Sequence, residues 1–202
     1  MPNPRNVAIL VFDDVEVLDF AGPYEVFNVA SDTTDPPAFY VYNVGITHMP
    51  VVGRGRFTVA PRYSIRDCPQ PDVLVIPGGY GALPLLNHEL LMEWIKTQAG
   101  KVEWLISVCT GALLLAKADA LRNCRATTHH TAFDQLKRLS PTTEVITDQR
   151  FVQASNRIMT SGGVSAGIDL SLYMVEKLVG AESLKAVVSE MEYLGSREMR
   201  KL

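Results

Sequence analysis

The sequence predicts an α/β fold: one doubly wound domain, a mostly parallel sheet with helices on both faces. Three observations carry the prediction. Apolar runs of strand length alternate with helix-length stretches along the chain. The main runs are near-continuously hydrophobic, as strands buried on both faces are. The 202 residues hold no repeat, low-complexity tract or linker, and suit one sizeable core spanning residues 1–202.

Asn6–Phe12 is the first strand, and Asp19–Ala30 follows as a helix with Pro23 placed in its first turn, where a missing N–H costs nothing. Phe39–Val44 is a second strand. Gly53 and Gly55 before Phe57-Thr58-Val59 suggest a short hairpin excursion. Asp72–Ile76 is a third buried strand, ending in Pro77-Gly78-Gly79-Tyr80-Gly81. Asn87 is placed as the cap of a helix running to Gln98, with Leu90, Leu91, Trp94 and Ile95 on one face. Trp104–Val108 is a strand, and the helix formers Ala112–Lys117 follow it at once. Arg125–Thr128 is a short strand, Ala132–Leu139 a helix, and Glu144–Thr147 and Arg157–Thr160 late strands. Two helices, Val164–Leu178 and Glu182–Tyr193, close the chain.

Composition narrows the function classes. A net charge of −3 points neither to nucleic acid nor to an anionic membrane surface. No apolar run reaches the ~18 residues of a membrane span, and the start, Met1-Pro2-Asn3-Pro4-Arg5, leads into a strand without a signal-peptide core. The three cysteines, Cys68, Cys109 and Cys124, are odd in number, widely spaced and without a C-x-x-C, so neither a disulfide framework nor a zinc site is suggested. A reducing, cytoplasmic setting fits.

The chemistry centres on Ile106-Ser107-Val108-Cys109-Thr110-Gly111-Ala112. Cys109 falls on a tight strand-to-helix turn, the cysteine counterpart of a nucleophile elbow. Gly111 permits close backbone approach, and Ser107 is small. Unpaired N–H groups and the helix dipole at that turn favour thiolate, the nucleophilic form. Cys68 and Cys124 have no such setting and read as structural. Gly78 and Gly79 end a strand, and their N–H groups, with that of Thr110, suit a developing negative charge; a plain sharp turn is the alternative. Asp19 sits where loop becomes helix. The N-cap role is the stronger reading there, compatible with proton transfer beside the cysteine; Glu25 is the other carboxylate candidate. The Thr110 hydroxyl suits donation to an intermediate or positioning of a water, against a bond to its own backbone. His129-His130 offers either a Cys–His dyad or a polar loop pair; His48 and His88 read as solvated. Ser161-Gly162-Gly163 and Ser165-Ala166-Gly167 either line the pocket or permit close packing. No His/Asp/Glu spacing suggests a metal.

Taken together, Leu18–Pro23, Ile76–Gly79, Ser107–Ala112, Arg125–His129 and Gly162–Asp169 resemble the ThiJ/PfpI superfamily over nearly the whole chain. Within it the likeness is to isonitrile (cyclohexyl-isocyanide) hydratases and to the amidotransferase-like domains of AraC-type regulators. The resemblance implies a flavodoxin-like sandwich of the class I glutamine amidotransferase type and a homodimer. It carries the nucleophile onto Cys109, the acid/base carboxylate onto Asp19 and a supporting hydroxyl onto Thr110, with Gly78, Gly79 and His129 as substrate-binding candidates. Thr110 stands where the PfpI-type peptidases have histidine, which argues against a peptidase or a glutaminase. The implied activity is hydration of an isonitrile to an N-substituted formamide through a thioimidate, on a small-molecule substrate and without cofactor. An amidase or glyoxalase-type enzyme, or a non-catalytic small-molecule or redox sensor, is the alternative.

Overall fold

The computed structural model describes residues 3–195. The strands are β1 (Arg5–Val11), β2 (Phe39–Gly45), β3 (Val51–Gly53), β4 (Phe57–Val59), β5 (Tyr63–Ser64), β6 (Val73–Ile76), β7 (Trp104–Val108), β8 (Arg125–Ala126), β9 (Glu144–Val145), β10 (Phe151–Gln153) and β11 (Ile158–Ser161). The α-helices are α1 (Val17–Asp32), α2 (Ala82–Leu85), α3 (Glu89–Ala99), α4 (Gly111–Lys117), α5 (Phe133–Leu139), α6 (Ala166–Val179) and α7 (Ala181–Glu190).

A seven-stranded sheet in the order β10-β11-β7-β6-β1-β2-β5 forms the centre. Its pairings are parallel except for β10 against β11. The five inner strands keep the doubly wound, flavodoxin-like order, so the winding reverses between β1 and β6. Continuous hydrophobic runs explain the burial: Val7 to Val11, Val73 to Ile76 and Leu105 to Ile106 are all fully buried. Truncating such a residue, for example Leu105→Ala, costs about 2–5 kcal/mol. Helices α1, α6 and α7 pack together as one layer, and α3 and α5 pack on α4 in the other. Any cleft at the reversal lies beyond the carboxyl ends of β1, β6 and β7, where ligands bind in such sheets.

Several expectations are corrected. Helix α1 begins at Val17 with Glu16 at its N-cap position, so Asp19 is not the cap and Pro23 lies inside the helix. Lacking an N–H, Pro23 leaves the carbonyl of Asp19 without its helical partner. Helix α3 is capped by His88, whose Nδ1 accepts from Leu91 N–H at 3.2 Å; Asn87 is not the cap and His88 is not a free loop residue. Its buried face is Leu91, Ile95 and Gln98, while Leu90 is exposed. The expected strand at residues 125–128 contracts to β8, which pairs with β9 outside the main sheet. Helix α2 and the edge strands β5 and β10 were not anticipated. Among the described residues no helix is long and apolar enough to cross a membrane.

Candidate active site

Strand β7 delivers Cys109 to the cleft. Its backbone has φ 58°, in the left-handed region that non-glycine residues avoid. Surrounding bonds hold this strain in place. The Cys109 N–H is shared between the carbonyls of Ser161 at 3.2 Å and Gly162 at 3.1 Å. The Cys109 carbonyl accepts from Thr128 Oγ1 at 2.8 Å. Gly111 allows the close approach expected of it: a Cβ there would fall 2.0 Å from the Ile76 carbonyl oxygen. The elbow is therefore a feature of three segments, β7, the turn after β11 and residue 128.

Asp19 lies directly behind the sulfur and is wholly buried. Its Oδ2 accepts the Gly78 N–H and its Oδ1 accepts the Val164 N–H, both at 3.1 Å. The Cys109 thiol lies close enough to the carboxyl to influence its protonation. Burial raises the Asp19 pKa to about 7, helped by the nearby Glu16 charge and opposed by those hydrogen bonds. Burial likewise pushes the Cys109 thiol up to about 12, with the Asp19 charge as second cause and the Thr110 N–H working against both. This corrects the thiolate expected from the helix terminus. One N–H at the start of a seven-residue helix does not offset loss of water and a carboxylate beside the sulfur. The last proton of the pair resides on sulfur, beside a carboxylate that two backbone N–H groups hold in place.

The expected cradle of free N–H groups is also corrected. Gly78 N–H serves Asp19, and Gly79 N–H donates to Thr110 Oγ1 at 3.0 Å. Of the three N–H groups expected there, the one that faces the sulfur is that of Thr110. The Thr110 hydroxyl bonds the backbone of Gly79, not its own, donating to that carbonyl at 3.2 Å. It also lies near the sulfur and opposes the rise of the thiol pKa.

A cavity of about 390 Å³ opens over Cys109 and is lined by Gly79, Thr110, His129 and Val164 among others. His129 thus borders the site, but its Nδ1 is engaged with Thr131 Oγ1 at 2.8 Å. No hydrogen bond joins it to Cys109 among the described residues, and burial, with His130 beside it, lowers its pKa and disfavours the charged ring. The arrangement is a thiol–carboxyl pair, not a Cys–His dyad. Glu25 is exposed on α1 and lines no part of the cavity. Of the two late Gly-rich segments, Ser161-Gly162-Gly163 supplies backbone acceptors to the elbow, whereas Gly167 packs on Val108. Cys68 and Cys124 are half-buried and free.

Sequence reasoning missed Glu16, Arg54, Tyr80 and Val164, all of which line the cavity. Val164 has φ 54°, which turns its N–H onto Asp19. Glu16 stood within the Asp19 segment, but nothing in the sequence set the β3–β4 hairpin, and with it Arg54, at the cavity mouth.

Residues 5–177 match the DJ-1/PfpI family. The chain belongs to that family. An isonitrile hydratase of Pseudomonas putida is 34% identical over 187 residues, covering 93% of this chain and 78% of that protein. The HTH-type transcriptional regulator GbdR of Pseudomonas aeruginosa is 24% identical over 94% of this chain, which spans 50% of the regulator's length. Among solved structures, a ThiJ/PfpI family protein from Pseudomonas syringae superposes with a TM-score of 0.86 at 26% identity, covering 96% of this chain and 77% of that one. The family thus includes an enzyme and regulators on one architecture, and the fold alone does not choose between them.

Proposed function

We propose that this DJ-1/PfpI protein is an isonitrile hydratase in which Cys109 is the nucleophile, Asp19 the proton carrier and Thr110 a supporting hydroxyl. One observation carries the reading: a buried carboxyl coupled to a thiol that lines a cavity, with no imidazole hydrogen-bonded to the sulfur among the described residues. The 34% identity to a named isonitrile hydratase supports it.

The substrate's terminal carbon is slender enough to reach the sulfur of Cys109, a residue only 7% exposed. Asp19 accepts the thiol proton as sulfur attacks that carbon and the S–C bond forms. The same proton then passes from Asp19 to the carbon, giving a thioimidate. Water adds to the thioimidate carbon, giving one proton to Asp19, which passes it to the nitrogen, and keeping the other on the new hydroxyl until the carbonyl forms and that proton returns to sulfur. The C–S bond breaks, an N-substituted formamide leaves, and the sulfur regains its proton. One water is consumed and the enzyme returns unchanged, a difficult hydration divided into two additions. As charge builds on sulfur, the Thr110 N–H faces it, and the Thr110 hydroxyl proton can swing from the Gly79 carbonyl toward it.

The test is formamide production from an aliphatic isonitrile by the wild type, Cys109→Ala and Asp19→Ala. Each variant should lose at least about a thousandfold in kcat, the scale of losses when one member of a nucleophile–base unit is removed. Wild-type-like turnover in either ends the scheme. A ligand-binding role without turnover is the second reading, favoured by the regulator relative. It expects a ligand-dependent rise in Tm and no product.

A further inference from the structure

We propose that the Glu16–Arg54 ion pair is a charge filter at the mouth of the Cys109 cavity, which admits uncharged isonitriles and turns away those bearing a carboxylate or an ammonium group. The inference deepens the hydratase reading and rests on it for the substrate class.

Both residues line the same cavity as Cys109. They come from different segments, Glu16 from the N-cap position of α1 and Arg54 from the turn between β3 and β4, and their side chains form an ion pair. The Glu16 side chain is 16% exposed and that of Arg54 is 56% exposed, so the pair runs from the cavity wall outward. Its geometry is set by backbone at both ends. Arg54 N–H donates to the Val15 carbonyl at 2.9 Å, Asp14 N–H to the Val52 carbonyl at 2.8 Å, and Glu16 N–H to the Gly78 carbonyl at 2.9 Å. Val52 N–H adds a bond to Asp13 Oδ1 at 2.8 Å. The guanidinium also lies 5.6 Å from the centre of the Tyr80 ring. A pair fastened in this way differs from the mobile surface pairs that contribute little.

The rest of the lining has no charge to offer a guest. Leu83, Thr131, Ala132, Gln135 and Val164 are uncharged types, and His129 is engaged through Nδ1 with Thr131. A carboxylate substituent that reaches Arg54 meets the Glu16 charge beside it, or leaves Glu16 unpaired if it displaces it; an ammonium that reaches Glu16 meets the guanidinium in the same way. Leaving a partly buried charge without its partner is the costly step, so the pair acts against both signs. A neutral alkyl group displaces only water.

The experiment separates this idea from the hydratase reading by measuring binding as well as turnover. N-butylformamide, N-formylglycine and N-formylethylenediamine, which are neutral, anionic and cationic at neutral pH, are titrated calorimetrically into wild type, Glu16→Gln, Arg54→Met and the double variant. Wild type should bind the neutral formamide best, with each charged one weaker by about tenfold or more, a factor that moderate electrostatic differences produce. Glu16→Gln frees the guanidinium and should shift preference toward N-formylglycine by about tenfold, while Arg54→Met should shift it as far toward the ammonium ligand. The double variant restores neutrality and should return to the neutral ligand. Equal binding of all three by wild type, an order unchanged in both single variants, or no binding of any of them overturns the proposal. Wild-type conversion of n-butyl isonitrile, followed in parallel, judges the hydratase reading alone. Failure there with the charge order intact leaves the filter standing, and turnover without the charge order leaves only the hydratase.

Discussion

Asp19 and Cys109 share their protons, and that sharing sets the pH at which the proposed chemistry runs. Below about 7 the carboxyl group is protonated and the thiol keeps its own proton, so nothing can accept a proton from sulfur. Above that point one proton remains between them and the carboxylate serves as base. The value of kcat/KM for an isonitrile should therefore rise with pH to a plateau, with a midpoint near 7 that belongs to the pair, not to either residue. Asp19→Asn should flatten the rise and lower the plateau by roughly a hundredfold to ten-thousandfold. A profile that still rises through the same midpoint in Asp19→Asn assigns the limb to another group. The strand-to-helix turn that carries Cys109 was legible in residues 106–112, because strand, turn and helix signals meet there. The protonation state of the thiol was not, because burial and the Asp19 carboxylate, ninety residues earlier, come from tertiary packing. The same limit made Asp19 read as a cap: Asp near a helix start is a local signal, and its real partners, Gly78, Cys109 and Val164, are all distant in sequence.

At the scale of elements, the turn between β11 and α6 does more than connect them. Ser161 and Gly162 fasten the elbow through their carbonyls, and Val164 fastens the Asp19 carboxyl through its N–H. Gly163 lies between these and the cavity. A Cβ at 163 would stand 2.2 Å from His129 Cδ2 and 3.2 Å from Cys109 Sγ. Gly163→Ala should push the imidazole aside and narrow the cavity, raising KM by about tenfold while costing about 1–3 kcal/mol of stability, as overpacking does. An unchanged KM in a folded variant means that the His129 ring is not a wall of the site. The turn's outer side is tied to α6, where Asp169 holds the Arg150 guanidinium and accepts from the Tyr193 hydroxyl at 2.8 Å. Arg150 in turn accepts the Gly162 N–H through its carbonyl at 2.8 Å. The long apolar strands were legible because β6 and β7 are buried at every residue and β1 at all but its first two, so composition alone identifies them. Strands β5, β8 and β10 were missed or misplaced because two or three residues become a strand only through the partner they meet.

For the whole molecule, the burial that raises the Asp19 pKa to about 7 also lowers stability near neutrality. In the unfolded chain an aspartate titrates near 3.9, whereas in the folded protein Asp19 titrates near 7. Below about pH 3.9 it is protonated in both states and favours neither. Between these values the unfolded chain has released a proton that the folded protein keeps, so stability falls as pH rises, and the loss is complete above the folded value, at about 4 kcal/mol. The raised thiol pKa of Cys109 adds nothing until pH exceeds the ordinary thiol value of about 8.5. Asp19→Asn removes the titration at a fixed starting cost, since its amide must face one of the two N–H groups that now bond the carboxylate; such a mismatch costs about 1–3 kcal/mol. Measured by urea unfolding, the variant should gain on wild type by about 2–3 kcal/mol between about pH 5 and about pH 8. Comparing the two proteins at each pH cancels groups such as Asp67, whose carboxyl is held low by Ser64 and whose contribution runs the other way. A constant difference across that range would mean that Asp19 ionises as an ordinary surface carboxylate does. It would then be charged throughout the pH range of the kinetic limb, and the assignment of that limb to the Asp19–Cys109 pair would fall with it.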